Sequence, residues 1–534
     1  MMPIDYRSQT HCAIEWSFAA RRDHADPFND IDLDVVFTGP DGAEKTVPAF
    51  WAGGGAWKVR YAAPVEGAWR WRSVCSDTGD GGLHGVEGTL TVGPYSGDNP
   101  LLRRGPLRVS ADKRYLEHAD GTPFFWLADT WWMALSNLRG WPGDFRELVA
   151  DRVDKNFSVV QFVAGLFPDM PAFDERGLGD GGFPWQEDFA RINPRFFDMA
   201  DLRVHYLVEQ GLLPCVLACW GYYLPWLGVE KMKQHWRYLI ARWGAYPAVW
   251  CLAGEGAMPY YLSEDKDGDR QRLVEGWSEM AAYVRRSDPY GHPLTVHPSR
   301  SARETVNDDA LIDFDMLQTG HSDRQSLPNT LRSVEASYGA EHRMPVLNGE
   351  VCYEGIGEAC RQEVQRLMFW ACMLSGACGH SYGANGIWQV NRPGAPYGPS
   401  PHGRSWGDTP WREAMQWPGS GQVGLAKRFL ERYEWHRFAP HPEWVENHAT
   451  PERAWAPYAG GIAGELRMVF LPSGVWGATL CRLERDVRYR AFLFDPTSGE
   501  ERAYGPVEVD ADGKWKTTPT LPVFQDWVLV LEEA

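Results

Sequence analysis

The 534-residue chain has ten cysteines but no Cys-x-x-Cys pair, and it has no His-Glu-x-x-His run. The first absence argues against a zinc ribbon or a dithiol redox centre, the second against a zincin-type metal site. No Lys/Arg cluster with interleaved aromatics occurs, and the net charge is −18. Recognition of nucleic acid runs on basic patches, so nucleic acid is not an expected partner. No apolar run is long enough to span a bilayer, and the start, Met1-Met-Pro-Ile-Asp-Tyr-Arg-Ser-Gln, has no apolar signal region. A cytoplasmic chain without a membrane partner is the expectation. Cys215, Cys219, Cys251, Cys352, Cys372 and Cys378 sit in apolar stretches, as small core residues do. No internal repeat and no low-complexity tract is present.

What is abundant is tryptophan, with 27 residues. Most belong in cores by size. Trp131, Trp132, Trp220 and Trp388 fall instead at expected strand ends or in loops, where an indole ring can stack on a sugar face. The pattern divides the chain into three. Residues 1–97 alternate apolar and charged positions (Trp57, Val59, Tyr61 against Lys58, Arg60; Trp69, Trp71 against Arg70, Arg72) between Gly-rich turns, which predicts a β-sandwich. Residues 98–438 alternate apolar strand-like runs with amphipathic stretches. The runs are 124–129, 158–164, 213–220, 248–255, 293–297, 313–318, 344–350 and 377–382, with helices at 144–155, 196–210, 230–244, 270–287, 327–339 and 358–375 between them. This predicts an α/β fold, a (β/α)8 TIM barrel. A doubly wound sheet would need a glycine-rich first crossover, which is absent. Residues 439–534 return to β (Leu466-Arg-Met-Val-Phe-Leu, Tyr489-Arg-Ala-Phe-Leu-Phe, Trp527-Val-Leu-Val-Leu), predicting a second β-sandwich.

Catalytic groups of a barrel come from the C-terminal ends of its strands. Here those ends read Asp129, Gln161, Trp220, Glu255, His297, Gln318, Glu350 and Tyr382. Glu255 and Glu350 close the fourth and seventh runs, each after a glycine. Cleavage between sugars needs a proton donor to the leaving oxygen and a second carboxylate, so Glu255 is the expected acid/base and Glu350 the expected nucleophile of a retaining reaction. Trp250 and Ala253 are expected to keep the acid protonated by burial. The alternative for either glutamate is a buried partner of an Arg or His. Asp129, Trp131 and Trp132 are expected to form a subsite floor. Gln161, Trp220, Tyr222, His297, Gln318, His321, Tyr382 and Trp388 complete the expected sugar contacts. No metal or organic cofactor is called for, the expected partner is carbohydrate, and a homo-oligomer is left open.

Two motifs compete. Gly379-His-Ser381-Tyr-Gly fits a nucleophile elbow and offers a serine esterase as a lesser alternative, but Asp408 and His436 are poor partners for it. Gly177-Leu-Gly-Asp-Gly-Gly lacks the strand and helix of a dinucleotide site and reads as a flexible loop over the barrel mouth. Asp265-Lys-Asp-Gly-Asp has its glycine misplaced for a calcium loop. A non-catalytic carbohydrate-binding protein is the competing class of function.

Phe124-Phe-Trp-Leu-Ala-Asp-Thr-Trp-Trp, Pro247-Ala-Val-Trp-Cys-Leu-Ala-Gly-Glu, Pro345-Val-Leu-Asn-Gly-Glu and Gly376-Ala-Cys-Gly-His-Ser-Tyr-Gly-Ala-Asn-Gly-Ile-Trp resemble stretches of the apiosidase-like glycoside hydrolases. Phe37-Thr-Gly-Pro-Asp-Gly and Gly67-Ala-Trp-Arg-Trp-Arg resemble the sandwich that often precedes that barrel, and Phe494-Asp-Pro-Thr-Ser-Gly-Glu the small β domain that often follows it. The resemblance implies Glu255 as acid/base, Glu350 as nucleophile, and a furanoside among the substrates to consider. Relatives often carry Gly-Gly-Asp where this chain has Ala253-Gly254-Glu255, so the resemblance speaks for the reaction more than for apiose.

Overall fold

The computed structural model describes residues 4–517 and 523–533; the first three residues of the start discussed above lie outside it. The eight apolar runs of the middle segment form one parallel sheet. Its strands are β1 (Trp126–Thr130), β2 (Val159–Val163), β3 (Leu213–Leu217), β4 (Val249–Cys251), β5 (Leu294–Thr295), β6 (Asp315–Gln318), β7 (Val346–Glu350) and β8 (Gly379–Tyr382). They pair in chain order, and β8 returns to β1, so the ring is continuous except between β5 and β6. Asp313 bridges that seam: its N–H donates to Leu294 O at 2.7 Å and its carboxylate accepts from Leu294 N–H at 2.8 Å.

Helices α1 (Gly143–Asp154), α2 (Pro194–Glu209), α3 (Val229–Trp243), α4 (Lys266–Ser287), α5 (Leu327–Tyr338), α6 (Gln362–Leu374) and α7 (Pro418–Leu430) form the outer layer. In α2, Phe196, Phe197, Ala200, Val204 and Leu207 are buried, the three-and-four spacing that presents one apolar stripe to the sheet. The β5–β6 crossover carries only the short 3-10 turns Ala302–Thr305 and Asp309–Leu311. Helix α4 begins earlier than its apolar pattern suggests because Asp265 caps it, accepting from Gly268 N–H at 3.0 Å; the calcium-like run is thus a helix start. The Gly177–Gly182 stretch is no free flap. A Cβ at Gly181 would stand 2.2 Å from Arg195 O, and Asn137 N–H donates to Leu178 O at 2.7 Å, so it is packed onto the start of α2 and the β1 loop.

The N-terminal segment is a sandwich of a five-stranded and a three-stranded sheet. Trp57, Val59, Tyr61, Trp69 and Trp71 point inward, as their alternation requires, and Phe37 stacks on Tyr61 at 3.7 Å. It joins the barrel through Arg60. The guanidinium pairs with Asp201 of α2 at 2.5 Å, and Asp201 also pairs with Arg242 of α3 at 2.6 Å. Between sandwich and β1 lies a three-stranded sheet, Leu107–Val109, Leu116–His118 and Pro123–Phe124, which the apolar pattern alone does not reveal.

The C-terminal segment is a six-stranded antiparallel sheet backed by a two-stranded ladder. Its alternation serves two cores. Val469, Leu471, Leu493, Leu529 and Leu531 face the ladder with Leu480 and Trp515. Met468, Phe470, Phe492, Phe494, Val528 and Val530 join the barrel core, where Phe494 stacks on Phe429 of α7 at 3.9 Å. Strand Trp527–Glu533 lies in the middle of the sheet, between Leu466–Leu471 and Tyr489–Phe494. Arg366 of α6 grips Asp526 just ahead of it through two bonds of 2.8 and 2.6 Å. All ten cysteines are free thiols. Among the described residues, no helix is long and apolar enough to cross a membrane.

Candidate active site

Glu350 owes its direction to an irregularity. The β6–β7 register steps from Leu317 opposite Asn348 to Gln318 opposite Glu350, leaving Gly349 as an extra residue. In an unbroken strand Glu350 would share the side of Asn348, whose amide reaches Cys372 of α6. The extra residue turns it into the barrel mouth instead. Only glycine fits there, since a Cβ at Gly349 would meet Met316 Cγ at 2.3 Å. Glu255 follows β4 by a few residues and has φ of +43°, a left-handed conformation costing about 1–2 kcal/mol for a residue with a side chain. Gly254 before it lies flat against Trp220, where a Cβ would be 2.2 Å from the ring.

The two carboxylates share one amide. Gln318 Nε2 donates to Glu255 Oε1 at 3.1 Å and to Glu350 Oε1 at 2.9 Å, which holds these two oxygens within about 6 Å of each other, short of the roughly 6.5–9.5 Å between carboxyl groups that leaves room for an attacking water. Beyond that amide their surroundings differ. On Glu350, His321 Nε2 lies 2.8 Å from Oε1, His297 Nε2 lies 3.2 Å from Oε2, and the Tyr353 hydroxyl donates to Oε2. Tyr353 N–H points at His321 Nδ1, so the protonated Nε2 is the one facing Glu350. Burial alone would raise Glu350, but its close contacts with His297 and His321 outweigh it and hold the group well below the usual carboxylate range. Glu255 has no such donor set. Burial first, and then the charge of Glu350, push it up to about 8.

The pair opens into a cavity of about 190 Å3 lined by Trp132, Trp220, Trp388, Trp406, Tyr353, Tyr261, Met258, Asp169, His321 and His402, among others. That is smaller than the roughly 300–1,000 Å3 of a site for a drug-sized ligand, so it suits one small polar ring. Trp388 Nε1 and Gln318 Oε1 are buried and have no partner among the described residues, which leaves polar groups for a ligand to satisfy.

Of the residues expected from sequence, Glu255, Glu350, Trp132, Trp220, Gln318, His321 and Trp388 line this cavity. His297 is fully buried behind Glu350 and supports it from below. The others are placed differently. Asp129 is a correction: it has no exposed surface and pairs with Arg152 Nε of α1 at 2.6 Å, with Trp131 Nε1 at 2.7 Å on the same oxygen. Trp131 packs edge-on against Phe145. Parity explains this. Thr130 faces the barrel interior and bonds Gln161, so Asp129 must face the helices. Tyr382 likewise faces outward and donates to Glu354 at 2.6 Å. Gln161 points inward but lies beneath the cavity, donating to Thr130 Oγ1 and Gly349 O. The Tyr222 hydroxyl is spent on Phe167 O and Met170 O. Trp250 donates to Asp288 in the helix layer rather than sheltering Glu255. Ser381 is wholly buried, with Trp126 Nε1 and Gln161 Oε1 at 3.3 and 3.4 Å and no histidine bonded to it, so its surroundings do not form a nucleophile elbow.

Asp129→Ala therefore strips the buried Arg152 of its one wholly buried carboxylate and leaves it only Asp151, at the edge of the helix layer. It is expected to lower stability by about 3–5 kcal/mol in urea denaturation while leaving KM unchanged. A subsite-floor residue would show the reverse.

Sequence reasoning missed Tyr353, Asp169, Tyr261, His402 and Trp406. Tyr353 had a faint signal, three residues beyond Glu350 where the chain turns. The others lie on loops of β2, β4 and β8, and no local pattern brings those loops together.

Residues 110–437 match the family described as apiosidase-like, catalytic domain, and residues 8–76 match a domain of unknown function, DUF5060. No curated protein matches the chain. Among solved structures, a candidate glycoside hydrolase from Bacteroides vulgatus ATCC 8482 is similar over 99% of this chain and 100% of its own, with a TM-score of 0.71 at 17% identity. A family 5 glycoside hydrolase from the same organism is similar over 82% of this chain and 96% of its own (TM-score 0.67, 22% identity). A third structure, a glycoside hydrolase, is similar over 82% and 99% (TM-score 0.63, 20% identity). At these identities the likeness concerns the fold, and it extends through the flanking sheets in the first case. With the family matched over more than half its length, the chain belongs to the apiosidase-like glycoside hydrolases.

Proposed function

We propose that this glycoside hydrolase works by double displacement with retention of anomeric configuration. Glu350 attacks the anomeric carbon while Glu255 protonates the departing oxygen. The glycosyl ester on Glu350 is then hydrolysed by a water that Glu255, now ionised, deprotonates. One observation carries the reading: two carboxylates bridged by a single amide have environments that push their proton affinities apart, Glu350 down and Glu255 up to about 8. That division supplies an ionised nucleophile and a protonated acid at the same pH. The Trp-rich cavity fits a sugar ring, and a furanoside, suggested by the family, is the first substrate class to try beside pyranosides.

The test is NMR of the first-formed sugar during hydrolysis of an aryl glycoside. The expected product has the anomeric configuration of the substrate. Inversion would exclude a covalent intermediate on Glu350.

A further inference from the structure

A third carboxylate enters the cavity opposite the catalytic pair. Asp169, on the loop after β2, is 6% exposed and has φ of +58°. Strained left-handed residues of this kind gather at functional sites. The Tyr261 hydroxyl donates to its Oδ1 and the Trp406 indole stands beside the carboxylate, while among the described residues no Lys or Arg side chain bonds it. The nearest cation does not neutralise it. Arg176 commits Nε and Nη2 to Asp174 at 2.8 Å each, and reaches Asp169 only at its backbone oxygen. A carboxylate so nearly buried, lining the cavity without a cation bonded to it, is stabilised by a ligand hydroxyl that donates to it.

Behind Asp169 the mouth is spanned. Tyr261 belongs to the loop after β4 and stacks on His402 of the loop after β8, at 4.9 Å and 9°. Strands four and eight stand on opposite sides of the ring, so this contact crosses the opening. Ser400 holds His402 Nδ1 at 2.5 Å. The loops after β2 and β8 are stitched together alongside: the Tyr397 hydroxyl donates to Pro168 O and Arg176 Nη1 to Pro399 O, both at 3.0 Å. On this flank the cleft is a blind pocket. Its lining holds Asp169, Glu255 and Glu350 but no Lys or Arg, so a sugar acid would bring a further negative charge with no cation to meet it.

Resting on the reading of this site as a glycosidase centre, we propose that Asp169 is its specificity-determining residue, reading the hydroxyls of an uncharged sugar at a chain end, while the Tyr261–His402 span stops the chain from running past. A hydroxyl donating to a carboxylate contributes about 1.5–3 kcal/mol, roughly 10- to 150-fold. The experiment compares kcat/KM of the wild type, Asp169→Asn and Asp169→Ala on the best aryl glycoside and on its singly deoxygenated analogues, with Glu350→Gln as control and thermal melting to verify folding. The wild type is expected to lose about 10- to 100-fold at one or two deoxy positions. Asp169→Ala is expected to be slow on the parent sugar by a similar factor and to show less than about threefold further loss at those positions, with Asp169→Asn, which keeps one acceptor oxygen, in between. If each deoxygenation costs all folded enzymes the same factor, the role of Asp169 is overturned and the reaction stands. If Glu350→Gln hydrolyses as the wild type does, or the wild type cleaves no aryl glycoside, the reaction itself is overturned and this proposal with it.

Discussion

Glu350→Gln is expected to abolish turnover, with a loss on the order of the ~10^6-fold that follows removal of a nucleophile acting within a catalytic unit. The substitution keeps the shape of the side chain, so Gln318, His321 and Tyr353 retain a partner of the right size. What disappears is the anionic oxygen that forms the ester in the proposed mechanism. Steady-state kinetics on an aryl glycoside measures the loss. Glu350→Ala adds a sharper test, since azide can enter the space left by the carboxylate. Rescue by azide should give a glycosyl azide of inverted configuration, because one displacement then replaces two. Residual activity above about one-hundredth of wild type in folded Glu350→Gln would remove Glu350 from the nucleophile's role.

The second large effect concerns Glu255 and depends on the leaving group. A general acid contributes about 10^2–10^4-fold, and a leaving group that departs unaided does not need it. Glu255→Ala is therefore expected to lose about 10^2–10^4-fold on an alkyl glycoside or disaccharide and much less on an activated aryl glycoside. Azide rescue here should give the retained configuration, opposite to the Glu350 case. The pH profile separates the roles again. Glu255 donates only when protonated, so wild-type kcat/KM should fall as pH rises through about 8. Glu350 reacts only when ionised, and its donors keep it ionised well below the usual carboxylate range, so the acid limb should lie low. The two groups share Gln318, so the apparent values belong to the pair. On an activated substrate, Glu255→Ala should lose the alkaline limb. A limb that persists unchanged would assign it to another group.

The barrel was legible because each buried parallel strand is a short, nearly continuous apolar run between helical stretches, and all eight stood where those runs predict. The two glutamates were legible for the same reason, as charged ends of apolar runs. Which way a strand-end side chain points was not legible, because that depends on parity counted from the barrel interior. Asp129 and Tyr382 fall on the helix side by that count, although each ends an apolar run. Glu350 would have fallen there too but for the extra residue at Gly349, and nothing in Asn-Gly-Glu announces a register shift. Asp169, Tyr261 and His402 lie far apart in sequence and meet only because the loops after β2, β4 and β8 converge above the ring. No single-chain periodicity encodes such a meeting.

The position of Trp527–Glu533 at the centre of the C-terminal sheet bears on biosynthesis. A growing chain can assemble the barrel once α7 has emerged, but the sheet that covers α6 and α7 cannot pair its two halves until the ribosome has delivered residue 533. Until then Phe470, Phe492 and Phe494, which belong to the barrel core, have no settled partners. Translation stalled or terminated a few residues short would thus release a protein with Glu255 and Glu350 in place and an open apolar flank. Such a product is a substrate for chaperones and proteases.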